Sequence, residues 1–437
     1  MSRILFGCVP YWGHMNPTIA VAQQLIKMGH TVAYACHPDM KEGLDKAGIP
    51  AIDKYAFGNL FAVTSKLTHD KRAARKEGKK WKSELEQDTT NFISLIREWQ
   101  PDVCVMDVIF MPGIIAAEAC NIPLAISCPY PFIQLPSKDL LPNGFGFASY
   151  QKRPGFLSGL ILLLAGLFTR VVTGPINDVR VKAGLAPTYR PFGDVGDLHF
   201  TYTTAAFDFE RSDLPRQVYY LGPSVSKELA GADVDFPWEW LDGRPLIYCT
   251  MGTIHSKPAV FKKIIAASRN APWQIVLAVT RQIDTALFEE VPENVLIRNF
   301  VPQSTLLRKA SLVICAANGN TTNESLLLGL PLLMLPQVSD HFDAAQRAVE
   351  AGVALRIDPP ALTVAKARRA IERLLNEPGF REQALALSLD FKKCNAPLAA
   401  AGLLEKLAQL KRPLLRPVQV SPTLYSKDLD QVLALLN

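Results

Sequence analysis

The sequence reads as an α/β protein: two Rossmann-like, doubly wound parallel-sheet domains that face each other across a cleft. Three observations carry that expectation. Residues 4–8 (Ile-Leu-Phe-Gly-Cys) form an apolar run, followed by a loop, a helical pattern and a second apolar run at 31–36. The same alternation starts afresh at residues 246–250 and repeats through residues 332–335. A proline-bearing stretch around Asp213-Leu214-Pro215 and Gly222-Pro223 separates the two halves.

The chain's 437 residues exceed what one hydrophobic core organises. With 49% hydrophobic and 20% charged residues, it can fill two large cores and lacks the charge density of a disordered chain.

The first element is a continuous apolar run, as expected of a strand buried on both faces. The spacing then predicts a loop over 9–16, with Asn16 as helix N-cap and Pro17 as the first helical residue. Ile19, Ala22, Leu25 and Ile26 recur at helical spacing, and Gly29 stands where a helix ends. Strand, helix and strand in this order make a right-handed parallel crossover. Further strands are expected at 102–108 and 124–127. In the second half they fall at 246–250, 273–279, 295–298, 312–315 and 332–335, with helices between. The domains are accordingly placed at 1–215 and 245–395, joined by a linker at 216–244 that includes a short strand. Residues 396–437 supply a C-terminal helix returning to the first domain, and a tail.

Composition narrows the partners. The net charge of +6 is spread along the chain, and its densest basic run, Lys66 to Lys82, is mixed with Asp70 and Glu77 and holds one aromatic, Trp81. Nucleic-acid binding would need stacking aromatics interleaved with such charge, so the run reads as a solvated helix or lid and no nucleic-acid partner is expected. Eight cysteines without a CxxC pair read as reduced core thiols in a cytoplasmic protein. The first strand begins too early for a secretory signal. A long uncharged run rich in leucine, residues 154–169, is 16 residues long, short of the roughly 20 that span a bilayer. Residues 156–168 stay open between a core helix, a wall of a ligand channel, and a patch that touches a membrane surface peripherally.

Parallel sheets bind ligands at the C-terminal ends of their strands. Gly13-His14-Met15-Asn16-Pro17 follows the first strand there. An imidazole titrates near neutrality and can take a proton from an alcohol when a carboxylate steers its other nitrogen. Asp107, ending the strand Val103-Cys104-Val105-Met106, can supply that carboxylate. The residues alone leave a helix-capping role for His14 equally open. In the second half, Ala316-Ala317-Asn318-Gly319-Asn320-Thr321-Thr322-Asn323-Glu324 lies between a strand and an apolar helix, a setting for anion binding by free N–H groups. Thr250-Met251-Gly252-Thr253 follows a strand with hydroxyls and a glycine, and Asp340-His341 offers a carboxylate for sugar hydroxyls. There is no HExxH, no paired-histidine spacing and no GxGxxG after the first strand, so neither a metal nor a dinucleotide cofactor is expected.

Taken together and in order, these segments resemble the nucleotide-sugar glycosyltransferases that act on small lipophilic molecules: plant secondary-metabolite, bacterial macrolide and carotenoid transferases of GT-B fold. The resemblance is collinear from residue 1 to about 411. Gly13-His14-Met15-Asn16-Pro17 is similar to the family's GHxxP, with His14 as general base and Asp107 as its orienting acid. Gly222-Pro223 comes next, ahead of the polar part of the linker. Phe300-Val301-Pro302-Gln303 matches the aromatic-x-Pro-Gln that holds the nucleobase. Asn320-Thr321-Thr322 matches the phosphate-binding triplet and Glu324 the ribose-binding Glu. Gly329-Leu330-Pro331 matches the helix-ending G-x-P, and Asp340-His341 the sugar-binding Asp-Gln.

The resemblance implies an inverting, metal-independent transfer of a hexose such as glucose from a UDP- or TDP-sugar, with no further cofactor. The implied donor site comprises Gly252, Thr253, Phe300, Val301, Gln303, Ala316, Asn318, Gly319, Asn320, Thr321, Thr322, Glu324, Asp340 and His341. Tyr11, Trp12, Phe110, Met111, Tyr130 and Phe132 are the implied wall for a polyphenol, polyketide, terpenoid or carotenoid acceptor. Three departures stand out. Ala316 and Asn318 replace the family's His-x-Gly, whose imidazole bonds a phosphate; such a contact is worth about 1.5–3 kcal/mol. His341 replaces Gln, and Phe300 replaces Trp. His255 is a candidate substitute for the lost imidazole. A second reading follows from Ala316: a weakened homologue that binds rather than transfers.

Overall fold

The structure, a computed structural model, describes residues 1–54, 71–149, 155–188, 195–225, 235–252, 257–280 and 283–436. The first half contains β1 (Arg3–Gly7), α1 (Trp12–Lys27), β2 (Thr31–Ala35), α2 (Lys41–Lys46), β3 (Ala51–Ile52), α3 (Lys71–Trp99), β4 (Val103–Asp107), α4 (Met111–Ala119), β5 (Leu124–Cys128), α5 (Gly155–Lys182), β6 (Leu198–Thr201) and β7 (Val218–Tyr220). Its sheet has the order β3-β2-β1-β4-β5-β6-β7, and every pair is parallel.

The second half contains β8 (Leu246–Thr250), α6 (Pro258–Ser268), β9 (Gln274–Ala278), β10 (Val295–Arg298), α7 (Gln303–Lys309), β11 (Leu312–Cys315), α8 (Gly319–Leu327), β12 (Leu332–Met334), α9 (Ser339–Glu350) and β13 (Ala354–Arg356). Its order is β10-β9-β8-β11-β12-β13, again all parallel. Helices α10 (Val364–Asn376), α11 (Pro378–Phe391), α12 (Ala396–Leu410) and α13 (Leu429–Leu435) follow. This is the two-domain architecture expected from the alternating apolar runs.

Each sheet reverses its winding beside its first strand, between β1 and β4 and between β8 and β11. At such a switch point the loops diverge and leave a crevice at the strand ends. His14 and Asp107 flank the first crevice. Gly252 and the 316–322 loop flank the second.

Three local features differ from the sequence expectation. Helix α1 begins at Trp12, with Tyr11 as N-cap and Pro17 inside the helix, rather than at Asn16. The His14 and Met15 N–H groups already donate to the Tyr11 carbonyl, so the helix nucleates before the proline. Pro17 then only leaves the Gly13 carbonyl without an intrahelical donor, a modest loss near a helix start. As a result His14 sits in a rigid first turn, not a loop. Second, β7 joins the first sheet beside β6, so that sheet runs to Tyr220, past residue 215. Third, β3, β6 and β13 were not legible as strands.

The C-terminal segment completes the first domain. Ala399, Leu403, Leu404 and Leu407 of α12 and Leu429 and Val432 of α13 lie in the same core as β1, β4 and α1. The intervening tail runs along the sheet edge: Leu414 N–H donates to the Asp197 carbonyl, Leu424 N–H to that of Tyr220, and Thr423 bridges Tyr220. An otherwise open edge at β7 is thereby covered.

Within α5, Ile176 and Val179 join the core, whereas Leu164 and Leu167 are exposed. The described leucines of the apolar run thus do not fit a core helix. No helix among the described residues is long and apolar enough to cross a membrane. All eight cysteines are free, six of them buried.

Candidate active site

His14 Nδ1 lies 2.8 Å from Asp107 Oδ2. Asp107 is nearly inaccessible, and its other oxygen accepts the Ile109 N–H at 3.0 Å. A carboxylate held in this way takes the proton on Nδ1 and leaves Nε2 with its lone pair. Burial acts to lower the His14 pKa. The charge and hydrogen bond of Asp107 outweigh it, with a contribution from Asp340, and the imidazole is held above its ordinary value. Asp340 belongs to the first turn of α9 in the second domain. The two domains therefore present charged groups to one centre.

Two aromatic rings flank the imidazole: Tyr130, edge-on with ring centres 5.5 Å apart, and Tyr11, tilted at 6.3 Å. The remaining residues expected on the acceptor wall are placed otherwise. Phe110 is 1% exposed, packs against Phe92, and abuts Gly7 and Gly113. Phe132 has no exposed surface, and Met111 is buried in the first core. The Trp12 indole covers Gly43 of α2 so closely that a Cβ there would meet it at 2.0 Å. Large apolar residues after a strand can close a core as readily as line a pocket, and sequence does not separate the two.

On the facing sheet, α8 starts at Gly319 with Asn318 as N-cap, but no side chain caps the helix. The Asn318 amide instead donates to Thr321 Oγ1 at 2.9 Å, and its Oδ1 is buried without a partner, as is Thr322 Oγ1. A helix start with uncapped N–H groups, an unsatisfied amide and an unsatisfied hydroxyl is suited to an anion with several acceptor oxygens. Ala317 holds φ +67°, and Ala316 is fully buried. Gly319 meets the first domain directly: a Cβ there would lie 2.7 Å from the Pro129 carbonyl oxygen.

Beside this loop, Gln303 donates to Glu324 at 2.7 Å and accepts from Tyr248 Oη at 2.8 Å. Burial raises the Glu324 pKa against the opposing Gln303 bond. Phe300 is 48% exposed and presents a ring face to solvent, whereas the neighbouring Val301 is buried. Tyr248 was not singled out by sequence, because a tyrosine inside a strand carries no local signal. At the start of α9, His341 is buried and its Nδ1 accepts the Gln337 N–H at 3.4 Å, which puts the proton on Nε2. Gly252, two residues past the end of β8, has φ +75°. Thr253 and His255 lie outside the described residues. No three His, Cys, Asp or Glu side chains converge to hold a metal among the described residues.

The domains are tied together by a buried ion pair that sequence reasoning missed. Arg347 Nε lies 2.6 Å from Asp208 Oδ1, with both side chains almost wholly buried. Its guanidinium sits between the Phe132 and Phe209 rings at 4.3 and 4.2 Å. Asp208 also accepts from Ile133 N–H and Tyr220 Oη. These residues are far apart in sequence, and no local spacing links them.

Comparison with known proteins agrees with this fold. Residues 263–407 match the family model described as Erythromycin biosynthesis protein CIII-like, C-terminal domain. The chain is 24% identical over 405 residues to the NDP-glycosyltransferase YjiC of Bacillus subtilis (strain 168), covering 91% of this chain and 95% of that one. Among solved structures, the glycosyltransferase of kitacinnamycin superposes with a TM-score of 0.74 at 18% identity, over 93% of this chain and 98% of the other. The spinosyn rhamnosyltransferase SpnG, complexed with thymidine diphosphate, gives 0.67 at 22% identity, over 92% and 100%. The fold is GT-B, and the chain's homologues are nucleotide-sugar glycosyltransferases.

Proposed function

We propose that this protein is an inverting glycosyltransferase that moves a sugar, in the first instance a hexose, from a nucleoside diphosphate onto a hydroxyl of a lipophilic secondary metabolite. The observation that carries the reading is the His14–Asp107 pair at 2.8 Å at the switch point of the first sheet, with Asp340 acting on it from the facing domain.

In this reading His14 Nε2 takes the acceptor hydroxyl proton as the oxygen attacks the anomeric carbon. The new C–O bond forms on the face opposite the departing diphosphate, and configuration inverts. Asp107 stabilises the resulting imidazolium, the usual role of a carboxylate behind a catalytic histidine. The diphosphate, which leaves with the bonding electron pair, is received by the N–H groups at the start of α8 together with Asn318, Thr321 and Thr322. Glu324 and Gln303 hold the ribose and base under Phe300, and Asp340 and His341 hold the sugar. Tyr11 and Tyr130 are the acceptor contacts beside the base.

Thymidine diphosphate bound to SpnG supports TDP-sugars as donors alongside UDP-sugars. The names of the relatives, which include erythromycin biosynthesis, spinosyn and zeaxanthin, support a secondary-metabolite acceptor and do not single out one class.

The test is turnover with a panel of UDP- and TDP-sugars and flavonoid and macrolide acceptors, in the wild type and in His14→Ala. Transfer by the wild type, reduced in the variant by roughly a hundredfold or more, supports the reading. Equal turnover by both would remove His14 as the base. Acceptor binding without turnover of any donor would favour the binding-protein reading.

A further inference from the structure

The segment that follows β5, residues 129–149, leaves the first domain and lies along α9 of the second. Its root touches both halves of the candidate site. Tyr130 stands edge-on to His14, and the Pro129 carbonyl faces Gly319 at the start of α8. Its middle is fixed to its own domain: Arg211 donates to the Leu135 and Pro136 carbonyls, and Asp213 accepts from Ser137 Oγ. Its far end is clamped on α9. Asp343, 3% exposed, accepts the Gly144 N–H on one oxygen and the Gly146 N–H at 2.9 Å on the other. Glu350 accepts from Ser149 N–H at 2.9 Å and from its hydroxyl, and Arg356 donates to the Gly146 carbonyl at 3.2 Å. Asp343, Arg347 and Glu350 recur at i, i+4 and i+7, so one whole face of α9 is given over to the first domain. The first turn of that helix carries Asp340 and His341.

We propose that residues 129–149 form a strap that couples the acceptor side of the site to the donor side, with Asp343 as its positioning residue. A ligand that orders the start of α8 or α9 also orders the strap, and through Tyr130 the surroundings of His14. By linkage, an acceptor seated against the strap tightens donor binding to the same degree. Asp343 suits the role because only a carboxylate offers two acceptor oxygens to the two strap N–H groups of Gly144 and Gly146. An amide would turn an NH2 group toward one of them. Gly146, at φ +65°, packs so closely that a Cβ would meet the Phe342 carbonyl oxygen at 2.7 Å, which leaves little freedom for another seating.

The proposal rests on the transferase reading, and the experiment keeps the two apart. Backbone hydrogen exchange of residues 140–149 is measured in the full-length protein with and without uridine or thymidine diphosphate, alongside calorimetric binding of each. The wild type should bind one nucleotide, and strap exchange should slow roughly fivefold or more. Asp343→Asn should bind the same nucleotide within about twofold but lose the slowing. In steady-state transfer it should raise acceptor KM at saturating donor and donor KM at saturating acceptor, each roughly tenfold. Glu350→Gln, at an exposed site that does not threaten folding, should lose part of the response. Nucleotide binding without any change in strap exchange in the wild type overturns the coupling alone. So does an Asp343→Asn protein that melts lower but keeps the exchange response and both KM values. Binding of neither nucleotide overturns the transferase reading, and the coupling with it.

Discussion

At the residue scale, two positions in the donor loop carry backbone demands that side chains oppose or permit. Ala317 sits at φ +67°, a conformation that costs an L-residue with a Cβ roughly 1–2 kcal/mol. Ala317→Gly should therefore raise unfolding stability by roughly 0.5–1 kcal/mol, after the extra freedom of glycine in the unfolded chain is offset. Equilibrium urea unfolding checks this. Gly319 works in the opposite sense. A methyl group 2.7 Å from the Pro129 carbonyl oxygen forces α8 and the first domain apart. Gly319→Ala should destabilise by roughly 1–3 kcal/mol and weaken nucleoside diphosphate binding, as calorimetry would show. The phosphate-loop resemblance made Gly319 a candidate and passed over Ala317. The physical reason for Gly319 became visible only once Pro129 was placed opposite it.

At the element scale, β6 brings a histidine into the first sheet. His199 is fully buried, neither ring nitrogen has a partner, and burial pushes its pKa down to about 3. A lowered folded value means the native state holds His199 neutral while the unfolded chain protonates near the ordinary 6.5. The stabilising contribution is complete above pH 6.5 and is lost as pH falls towards 3, at up to about 1.4 kcal/mol per unit. His14, whose value is raised, acts with the opposite sign: its contribution is present below the unfolded value and lost as pH rises through the folded one. We expect His199→Leu to flatten the acid limb of stability, measured by urea unfolding between pH 7 and 4; an unchanged slope would contradict this. Strands were legible where they were continuous apolar runs, as in β1, β4 and β8. β6, with His199 and Thr201 among its four residues, hid its burial, and β3 was too short to register. The start of α1 was misplaced because Asn16-Pro17 is a strong local signal, which the hydrogen bonds to the Tyr11 carbonyl overrode.

At the scale of the whole molecule, two similar sheets are held with their switch points facing. The tie is the Asp208–Arg347 pair with its aromatic sandwich. Arg347→Met keeps apolar contact with Phe132 and Phe209 but leaves Asp208 buried and uncompensated, which should cost about 3–5 kcal/mol. The double variant Asp208→Leu/Arg347→Met should recover most of that loss, and a double-mutant cycle in denaturant measures the difference. None of this contact was legible in the sequence, because the partners belong to different domains and each looks like an ordinary surface charge. The segments proposed for the donor and the base were legible, since each follows a strand. Their convergence was implied by the family resemblance alone.

The central claim is that His14, set by Asp107, removes the acceptor proton. The pH dependence of kcat/KM in the wild type and in Asp107→Asn tests it most directly. Loss of the carboxylate removes the interactions that hold the imidazole above its ordinary value. The wild type should show an acid limb above pH 6.5. In Asp107→Asn the limb should move to lower pH, and the plateau should fall by roughly a hundredfold or more. An acid limb at the same pH in both proteins would show that another group takes the proton.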